Sequence, residues 1–400
     1  MLVATSVATD TRVLREATTL ASAGHAVHII GRSVPADWTP PVVTAGALTV
    51  SSVGTSSVFR AEGAPSLSGR RLPPHLRLAR WALLPRHRAS AFGRWCVGAV
   101  ADGRTRAYDV VHCHDFNALP AGVELARAGS AGPVPLVYDS HEFWSGRPRE
   151  YRPTPLADRR ERALEARLGA GARAVITVGD GVAAALRAAY GWDHITVVRN
   201  TFPYVEPARL GADAERPAGL VYAGRLAAYR ELEVIAAASH RLEAELGLPV
   251  TLMGPGDDTW LARFDPGRAR IAPPAPADDV DAVLRSAGLV LVTHSDRWEN
   301  HRLALPNKLF HAVRAGVPVV ATDVGELAKM VRAHGIGTLY PPGDAAGLVD
   351  AVTRAVADYP ALCQAVRAAA PDLSWEADAA RLLQVYDELS RDPRPVGSPQ

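Results

Sequence analysis

Short apolar runs alternate with amphipathic stretches along the first half of the chain. The apolar runs predict strands at Met1–Thr5, Ala26–Ile30, Val110–Cys113, Leu136–Asp139 and Ala174–Val178. The stretches between them, above all Thr11–Ala23 and Leu119–Ala128, have the spacing of helices with one apolar face. Parallel strands that are buried on both faces read as continuous β-branched runs and need helices between them. The pattern therefore predicts a doubly wound α/β sheet.

The same alternation restarts after a proline-containing link over residues 201–217. The predicted strands are Leu220–Tyr222, Val250–Met253, Leu289–Thr293 and Pro318–Ala321, and the predicted helices are Glu231–Leu246, Val280–Ser286 and Asn307–Ala315. We therefore predict two Rossmann-like domains, 1–202 and 203–372, that face each other across a cleft lined by the carboxyl ends of their strands. A helix within 373–391 is expected to cross back to the first domain, and the Pro/Gly/Ser-rich tail 392–400 is expected to be disordered.

Composition and charge narrow the class of protein. The chain has 400 residues, 48% of them hydrophobic, and a formal net charge of +2. Its length suits two domains, because single cores stop growing at about 250–300 residues, and its near-neutral charge argues against a general nucleic-acid binder. Cys96, Cys113 and Cys363 are too few and too scattered for a disulfide framework or a zinc site. Since no stretch is apolar enough to span a bilayer and the N-terminus lacks a signal-peptide pattern, we expect a cytoplasmic protein.

The stretch Leu305–Thr322 reads as a helix N-terminus followed directly by a buried strand. Pro306 suits the first position of a helix, and Asn307 and Lys308 fall in its first turn. Free backbone amides and the helix dipole attract anions there, and the lysine adds a full charge. Lys308 and Lys329 are the only lysines of a chain that otherwise uses arginine. This helix N-terminus is therefore a candidate phosphate-binding site.

Four segments resemble one family in their order and separation. They read ATDTRVLREATTLASAGHAVHIIGR near the N-terminus, YDVVHCHDFNALPAG followed by LVYDSHEFW, then VYAGRLAAYRELEVI, and finally LPNKLFHAVRAGVPVVATDVGEL. The chain resembles the GT-B glycosyltransferases, and within them the large retaining family 4, over nearly its whole length. The resemblance implies transfer of a sugar from a nucleoside diphosphate sugar to an acceptor hydroxyl, with retention of configuration and no further cofactor.

The resemblance implies that the second domain binds the donor. Arg225 and Arg230 would neutralise the diphosphate together with Lys308, because guanidinium groups bind phosphate oxygens bidentately. Arg230 stands where many relatives carry lysine, and Glu231 where they carry glycine. The remaining donor-binding residues that the resemblance implies are Gly224, Gly254, Glu299, Asn307, Leu309 and His311. Alternatively the two arginines are solvated residues at a helix start, although two cations there oppose the helix dipole unless an anion binds.

Polar residues at the carboxyl ends of strands in the first domain form the other half of the predicted site. The resemblance implies that His114 is catalytic, together with Arg225, Arg230 and Lys308, and that it contacts the donor sugar. His112, on the same side of the strand, is interpreted as structural. Acceptor contacts are predicted for Asp10, Arg12, Asp115, His141 and Glu142. Three alternatives stay open: His114 as an ordinary core histidine, Asp10 as a helix N-cap, and Asp139, His141 and Glu142 as a strand-end turn.

One departure from the family pattern concerns its E-x7-E signature. The second glutamate of that signature falls on His311 and the first on Leu303, with Glu299 a few residues earlier as a displaced substitute. A histidine can still hydrogen-bond a ribose hydroxyl, so nucleotide binding is expected. The alternatives to ordinary transfer are a non-catalytic or coupling relative, a nucleotide-sugar epimerase, a sugar phosphorylase, and an interaction protein of another class.

Two further patterns bear on metals and partners. Asp279 and Asp281 form a D-x-D, but they fall at a helix start, where acids are ordinary, and no metal site is predicted. Within residues 70–95, arginines alternate with leucine, tryptophan and phenylalanine. This stretch is interpreted as surface helices packed on the sheet, or alternatively as a basic face for peripheral contact with a membrane or for an acidic acceptor. The expected partners are a nucleotide sugar and a small-molecule, glycan or lipid-linked acceptor, without nucleic acid.

Overall fold

Two parallel β-sheets, each flanked by helices, form the protein. The computed structural model describes residues 1–35, 37–54, 73–75, 92–129, 132–147, 155–206, 215–256, 258–276 and 279–392. Most of the arginine-rich stretch 70–95 lies outside these ranges, as do residues 393–400 of the tail. The interpretations of both segments therefore stay predictions.

The first sheet contains, within the described ranges, seven strands. In chain order they are β1 (Leu2–Ser6), β2 (Ala26–Arg32), β3 (Ala47–Ser52), β4 (Val111–His114), β5 (Leu136–Ser140), β6 (Ala174–Thr177) and β7 (Ile195–Val197). Their order in the sheet is β3-β2-β1-β4-β5-β6-β7, and neighbouring strands run parallel. The flanking helices include Thr11–Ser22, Asp115–Arg127, Pro155–Gly169 and Asp180–Tyr190, and residues 92–103 are helical as well. The central strands are apolar because helices cover both of their faces.

The second sheet repeats this architecture. Its described strands are β8 (Gly219–Ala223), β9 (Val250–Met253), β10 (Arg270–Ala272), β11 (Gly288–Val292), β12 (Val319–Thr322) and β13 (Gly337–Tyr340). They pair in parallel in the order β10-β9-β8-β11-β12-β13. The helices are Leu232–Leu246, Asp258–Leu261, Val280–Ala287, Glu299–Leu303, Asn307–Arg314, Gly325–His334, Ala345–Ala357 and Tyr359–Ala369. The predicted class, two doubly wound α/β sheets, is confirmed.

The helix Trp375–Arg391 follows the second sheet in the chain but packs on the first. Its apolar face shares a buried cluster with the first sheet, and the indole nitrogen of Trp375 donates a hydrogen bond to the hydroxyl of Thr19 (2.9 Å). The fully buried carboxylate of Asp378 lies 3.1 Å from the Nε of Arg199. The last helix thus ties the end of the second domain to the first. None of the helices in the described part of the chain combines the length and the apolar character that crossing a bilayer requires.

Candidate functional site

The helix Asn307–Arg314 begins between the two sheets and carries Lys308 in its first turn. Pro306 is the N-cap of this helix and not its first residue. The Lys308 amine lies 4.6 Å from the ring centroid of Tyr222, and it would lie 3.0 Å from a Cβ placed on Gly224, so glycine leaves room for it. Burial, and then the charge of Arg230, lowers the pKa of Lys308 to about 7. No carboxylate in the described ranges pairs with this amine, so the described part of the site supplies no counter-ion for it.

Arg230 is presented by a strained loop between β8 and the helix Leu232–Leu246. Its neighbours Tyr229 and Glu231 have left-handed backbone conformations (φ 66° and 59°), which cost a non-glycine residue about 1–2 kcal/mol. Two hydrogen bonds hold the loop: Thr293 donates its hydroxyl to the Arg230 carbonyl (2.7 Å), and the backbone N–H of Gly343 donates to the Glu231 carboxylate (2.6 Å). The second bond compensates for a glutamate at a position where the resemblance implies glycine.

Arg225 belongs to the same loop but is held less firmly. Its side chain is exposed, and its guanidinium makes no hydrogen bond or ion pair with any described residue. Its carbonyl accepts a hydrogen bond from the hydroxyl of Tyr222 (3.1 Å). Of the three predicted cations, the structure therefore brings Arg230 and Lys308 within electrostatic reach of each other, and the role of Arg225 stays a prediction.

Two histidines that sequence reasoning did not single out form a wall beside these cations. His294, just beyond β11, and His301 stack with ring centroids 5.2 Å apart. Burial lowers the pKa of His294 to about 3, and burial together with Arg230 and Lys308 also lowers the pKa of His301. Both imidazoles are therefore neutral at physiological pH and add no charge to the site. The position of His294 just after a buried strand is the signal that could have found it, whereas His301 lies in the helix Glu299–Leu303.

A small apolar pocket of about 210 Å³ adjoins Lys308. Its apolar lining consists mainly of Met253, Pro255, Pro274, Ala275, Val280 and Leu284. A Cβ on Gly254 would lie only 2.0 Å from the carbonyl oxygen of Gly224, so glycine allows two loops to touch at its mouth. His311 also lines this pocket, with its ring centroid 3.8 Å from that of Phe202. The pocket can hold a flat, largely apolar group next to an anion bound at Lys308.

The structure bears on three expectations for this half of the site. Leu309 was expected to bind the donor, but its side chain is fully buried in the core and its N–H donates to the Pro306 carbonyl (2.9 Å). Glu299 faces the first domain, where its carboxylate would lie 3.0 Å from a Cβ on Gly146, and it does not line the apolar pocket, so its contact with the donor stays a prediction. Asp281 lies in the first turn of the helix Val280–Ala287, as expected, and it also pairs with Arg314 at 2.8 Å.

In the first domain, a buried arginine joins the carboxyl end of β5. Arg12 donates from two nitrogens to the two oxygens of Asp139, each at 2.8 Å. Its other contacts are the carbonyl of Val198 (2.8 Å) and the carboxylate of Glu16 (2.9 Å). Because Arg12 is only 3% exposed and all its nitrogens serve the fold, the predicted acceptor contact of its guanidinium is corrected. Asp139 and Glu16 hold the pKa of Arg12 above its usual range in spite of burial.

His114 lies deeper than predicted. The register of β4 and β5 pairs it with Asp139, and its Nδ1 lies 3.1 Å from an Asp139 oxygen. Its ring stacks on His112 at 4.4 Å, and His112 in turn contacts the Tyr386 hydroxyl at 2.9 Å. With 1% exposure, His114 does not line the polar cleft, which favours the alternative of a core histidine, and its contact with the donor sugar stays a prediction. His112 is structural, as interpreted.

His141 is the imidazole that does reach the cleft. Its side chain is 19% exposed, and its two ring nitrogens lie 3.3 Å from Asp115 and 3.0 Å from Asp139. Burial alone would lower its pKa, but these two carboxylates raise it to about 9. Asp115 adopts a left-handed backbone (φ 63°) and also accepts a hydrogen bond from the backbone N–H of His141 (3.2 Å). The predicted strand-end cluster is thus an imidazolium held between two acids.

A polar pocket of about 350 Å³ lies between the two domains. Residues of the first domain that line it include Thr5, Ser6, Thr9, Asp10, Thr11, Arg12, His141 and Asn200, and the second domain contributes Ala304, Leu305 and Asn307. Asp10 both caps the helix Thr11–Ser22, by accepting from Val13 N–H (3.3 Å), and faces this pocket. Both interpretations of Asp10 are therefore compatible with its position.

Hydrogen bonds between side chains cross the interface between the domains. Asn200 donates to the side-chain oxygen of Asn307 (3.0 Å), and Asn300 donates to Glu142 (3.1 Å). Burial raises the pKa of Glu142. The predicted acceptor contact of Glu142 stays a prediction, since the structure uses its carboxylate to contact the second domain. Sequence reasoning missed Asn200 because it follows β7, a strand that the pattern did not predict.

The described residues include a cluster with the composition of a metal site: Glu16, His112, His114 and Asp139, whose candidate ligand atoms lie within 4.8 Å of one another. Arg12 already lies 2.9 Å from Glu16 and 2.8 Å from Asp139. The two imidazole planes are nearly parallel (16°), so their lone pairs point side by side instead of at one ion. A guanidinium supplies the positive charge of this cluster.

Comparisons with known proteins agree with this architecture. The family model for glycosyl transferases group 1 matches residues 217–358, and the one for glycosyltransferase family 4 matches residues 9–203. The chain is 29% identical over 307 residues to glycogen synthase of Mycobacterium tuberculosis (72% of this chain, 70% of the relative). It is 28% identical over 319 residues to D-inositol 3-phosphate glycosyltransferase of an Arthrobacter species (70% of each).

Solved structures show the same fold. Sucrose-phosphate synthase from Thermosynechococcus elongatus superposes with a TM-score of 0.66 at 19% identity, covering 98% of this chain and 99% of the other. The Anabaena protein HepE, in a complex with UDP-glucose, superposes with a TM-score of 0.65 at 14% identity, covering 97% and 99%. The two family matches and this shared fold together show that the chain belongs to the family 4 type of GT-B glycosyltransferases.

Proposed function

We propose that the chain transfers a glycosyl group from a nucleoside diphosphate sugar to an acceptor hydroxyl, with retention of configuration and with protein charges in place of a divalent ion. The observation that carries this proposal is Lys308, a buried amine with the charge of Arg230 nearby and no carboxylate partner in the described ranges. A desolvated cation without a counter-ion favours binding of an anion. A diphosphate supplies that anion, and the related HepE is described in complex with UDP-glucose.

The proposed chemistry follows from the arrangement around Lys308. As the bond between the anomeric carbon and the diphosphate oxygen breaks, negative charge grows on the departing phosphate. Lys308, Arg230 and the N-terminus of the helix Asn307–Arg314 stabilise that charge because they are in place beforehand. The acceptor oxygen forms the new bond to the anomeric carbon, and its proton passes to the freed phosphate oxygen. This step needs no side-chain base.

The two pockets on either side of Lys308 fit the two ends of such a reaction. The apolar pocket beside Gly224 and Gly254 takes the nucleobase, whose faces are flat and largely apolar. The polar pocket that Asn307 lines takes the acceptor. Asn307 and Lys308 are adjacent in the first turn of one helix, so the phosphate site lies between base and acceptor.

A second candidate function is nucleotide binding without transfer. His311 and Leu303 stand at the positions of the two family glutamates, and no carboxylate of the described residues pairs with Lys308. A protein of this kind would hold a nucleotide in the apolar pocket and leave the sugar unreacted. Product analysis separates the two candidates.

The test compares Lys308→Ala with Lys329→Ala, a matched control because Lys329 is the other lysine and is exposed, 2.6 Å from Glu326. A thermal-shift panel of nucleoside diphosphates and their sugars identifies the donor. With that donor, Lys308→Ala is expected to lower kcat about 100-fold or more, as for loss of one preorganised charge or donor in other enzymes, whereas Lys329→Ala stays near wild type. Wild-type-like turnover by Lys308→Ala would contradict the proposal.

Analysis of the product tests the proposed retention of configuration and the proposed independence from a divalent ion. Transfer with the anomeric configuration of the donor, unchanged in the presence of a chelator, supports retention by protein charges alone. Inversion, or activity that returns only with an added divalent ion, contradicts those parts. Tight nucleotide binding with no consumption of any donor favours the second candidate.

A further inference from the structure

The polar pocket between the domains indicates the chemical class of the acceptor. We propose that it takes a neutral polyhydroxylated molecule, a sugar or a polyol, and discriminates against phosphorylated or carboxylated ones. This inference rests on the proposed function, because it takes the pocket to lie beside the reacting end of the donor. The position of Asn307, which lines the pocket and precedes Lys308 in the same helical turn, supports that placement.

The pocket walls are rich in groups that bond to hydroxyls. Four side-chain hydroxyls, a carboxylate and two amides line it; they belong to Thr5, Ser6, Thr9, Thr11, Asp10, Asn200 and Asn307. Of these, Thr5 donates to Asp10 (3.0 Å), Asn200 donates to Asn307 (3.0 Å), and Ser6 and Thr9 donate to backbone carbonyls (3.3 Å each). The Asn307 amino group and further lone pairs of the hydroxyls and the carboxylate stay available. A polyol both donates and accepts at every hydroxyl, so this mixed lining matches it.

The positively charged side chains that line the pocket already pair with other groups of the protein. The guanidinium of Arg12 contacts Asp139, Glu16 and a backbone carbonyl. Both ring nitrogens of His141 face carboxylates, those of Asp115 and Asp139. Within the described part of the pocket, therefore, no cation is left to receive a phosphate or a carboxylate of the acceptor.

Arg15 lies close to the polar pocket but adds no positive charge to its lining. Its guanidinium packs 4.8 Å from the ring centroid of Phe202 and 5.6 Å from that of Trp375. It also donates to the side-chain oxygen of Asn200. It is not among the residues that line the polar pocket.

Asp10 adds a negative charge where a helix would otherwise attract an anion. The N-terminus of the helix Thr11–Ser22 faces the pocket, and such ends bind phosphate when their amides are free. Here the carboxylate of Asp10 already accepts the N–H of Val13. A phosphorylated acceptor would meet this carboxylate, and like charges in contact disfavour binding. The pocket therefore fits a neutral acceptor better than one of the kind for which D-inositol 3-phosphate glycosyltransferase, a relative of this chain, is named.

The experiment uses matched pairs of candidate acceptors, glucose with glucose 6-phosphate and myo-inositol with an inositol monophosphate. Binding is followed by saturation-transfer NMR with and without the nucleoside diphosphate, and transfer is followed with the donor from the thermal-shift panel. The wild type is expected to prefer a neutral member over its phosphorylated partner by about tenfold or more, in affinity and in kcat/KM.

Two variants test the cause of that preference. Asp10→Asn removes the charge but keeps a side chain that caps helices equally well, so the preference for neutral molecules is expected to fall. Thr11→Arg adds a cation at an exposed position on the wall and is expected to shift the preference toward the phosphorylated member. The inference is overturned if the wild type prefers a phosphorylated member, if it binds no neutral member, or if Asp10→Asn leaves the ratio unchanged. Failure of the proposed function is distinct, because it appears as the absence of nucleotide binding at Lys308.

Discussion

Because the pKa of Lys308 is lowered, we expect binding of the proposed donor to depend on pH. In the free protein this pKa is about 7, whereas a bound diphosphate stabilises the charged amine and raises the pKa toward or above the ordinary 10.5. Below pH 7 the amine is already protonated, so the affinity is constant. Above pH 7 binding must take up a proton, and each pH unit then costs about 1.4 kcal/mol, a factor of about ten in affinity. From pH 6 to pH 8.5 the donor is therefore expected to bind about thirtyfold more weakly.

Other groups near the site do not obscure this effect. The pKa of His294 is lowered to about 3, so its ring stays neutral across the range, and burial together with Arg230 lowers the pKa of His301, which favours its neutral form. The pKa of His141 is raised to about 9, so it stays mostly charged. A nucleoside diphosphate sugar is the right ligand because, unlike a free terminal phosphate with its second pKa near about 6, its phosphates do not titrate in this range.

Isothermal titration at pH 6.0, 7.0, 8.0 and 8.5, in two buffers of different ionisation enthalpy, measures affinity and proton uptake together. The control is Lys308→Arg, because a guanidinium stays protonated throughout. The wild type is expected to lose affinity above pH 7 and to take up close to one proton, and the arginine variant is expected to show neither effect. A wild-type affinity that is flat with pH, or the same decline in Lys308→Arg, would refute the reasoning.

Three further perturbations test the fold and the first domain. Asp378→Ala leaves the buried guanidinium of Arg199 without its carboxylate, so the free energy of unfolding in urea is expected to fall by about 3–5 kcal/mol; a fall below 1 kcal/mol would contradict this. Glu231→Gly relieves left-handed strain while it loses one hydrogen bond, whereas Glu231→Ala loses the bond and keeps the strain, so the alanine variant is expected to be less stable than the glycine variant by about 1–2 kcal/mol. Equal urea midpoints for these two variants would argue against strain at this position. The folded pKa of His141, about 9, lies above its usual 6.5, so the imidazolium stabilises the protein below pH 6.5, by up to about 3 kcal/mol, and this contribution is lost as the pH rises through 9. The stability difference between wild type and His141→Gln is the measure, and a difference independent of pH would contradict the assignment.

The sheets could be predicted from the sequence except at their edges. The pattern predicts β1, β2, β4, β5, β6, β8, β9, β11 and β12, the inner strands of the described sheets. It misses β3, β7, β10 and β13, which are the edge strands. An edge strand pairs on one side only and is less fully covered, so its sequence need not be a continuous apolar run: Arg270–Ala272, for example, is largely exposed.

Only part of the candidate site, too, could be predicted from the sequence. The helix start that carries Lys308 could be predicted because a proline followed by a lysine in the first turn of a helix is a local pattern. The network of Arg12, Asp139 and His114 could not, because Arg12 and Asp139 are 127 positions apart. Whether a polar side chain at a strand end reaches the cleft depends on such distant partners. For this reason His114 proved buried, and His141, two residues beyond Asp139, faces the cleft in its place.

The central claim is that Lys308 and Arg230 together hold a diphosphate, and a double-mutant cycle tests it most directly. The affinities of wild type, Lys308→Ala, Arg230→Ala and the double variant are measured for the best nucleoside diphosphate and for its parent nucleoside. The account predicts that the wild type prefers the diphosphate strongly, that each single variant loses much of this preference, and that the double variant binds the two ligands alike. If all four proteins keep the same preference for the diphosphate, its binding site is elsewhere and the account is contradicted.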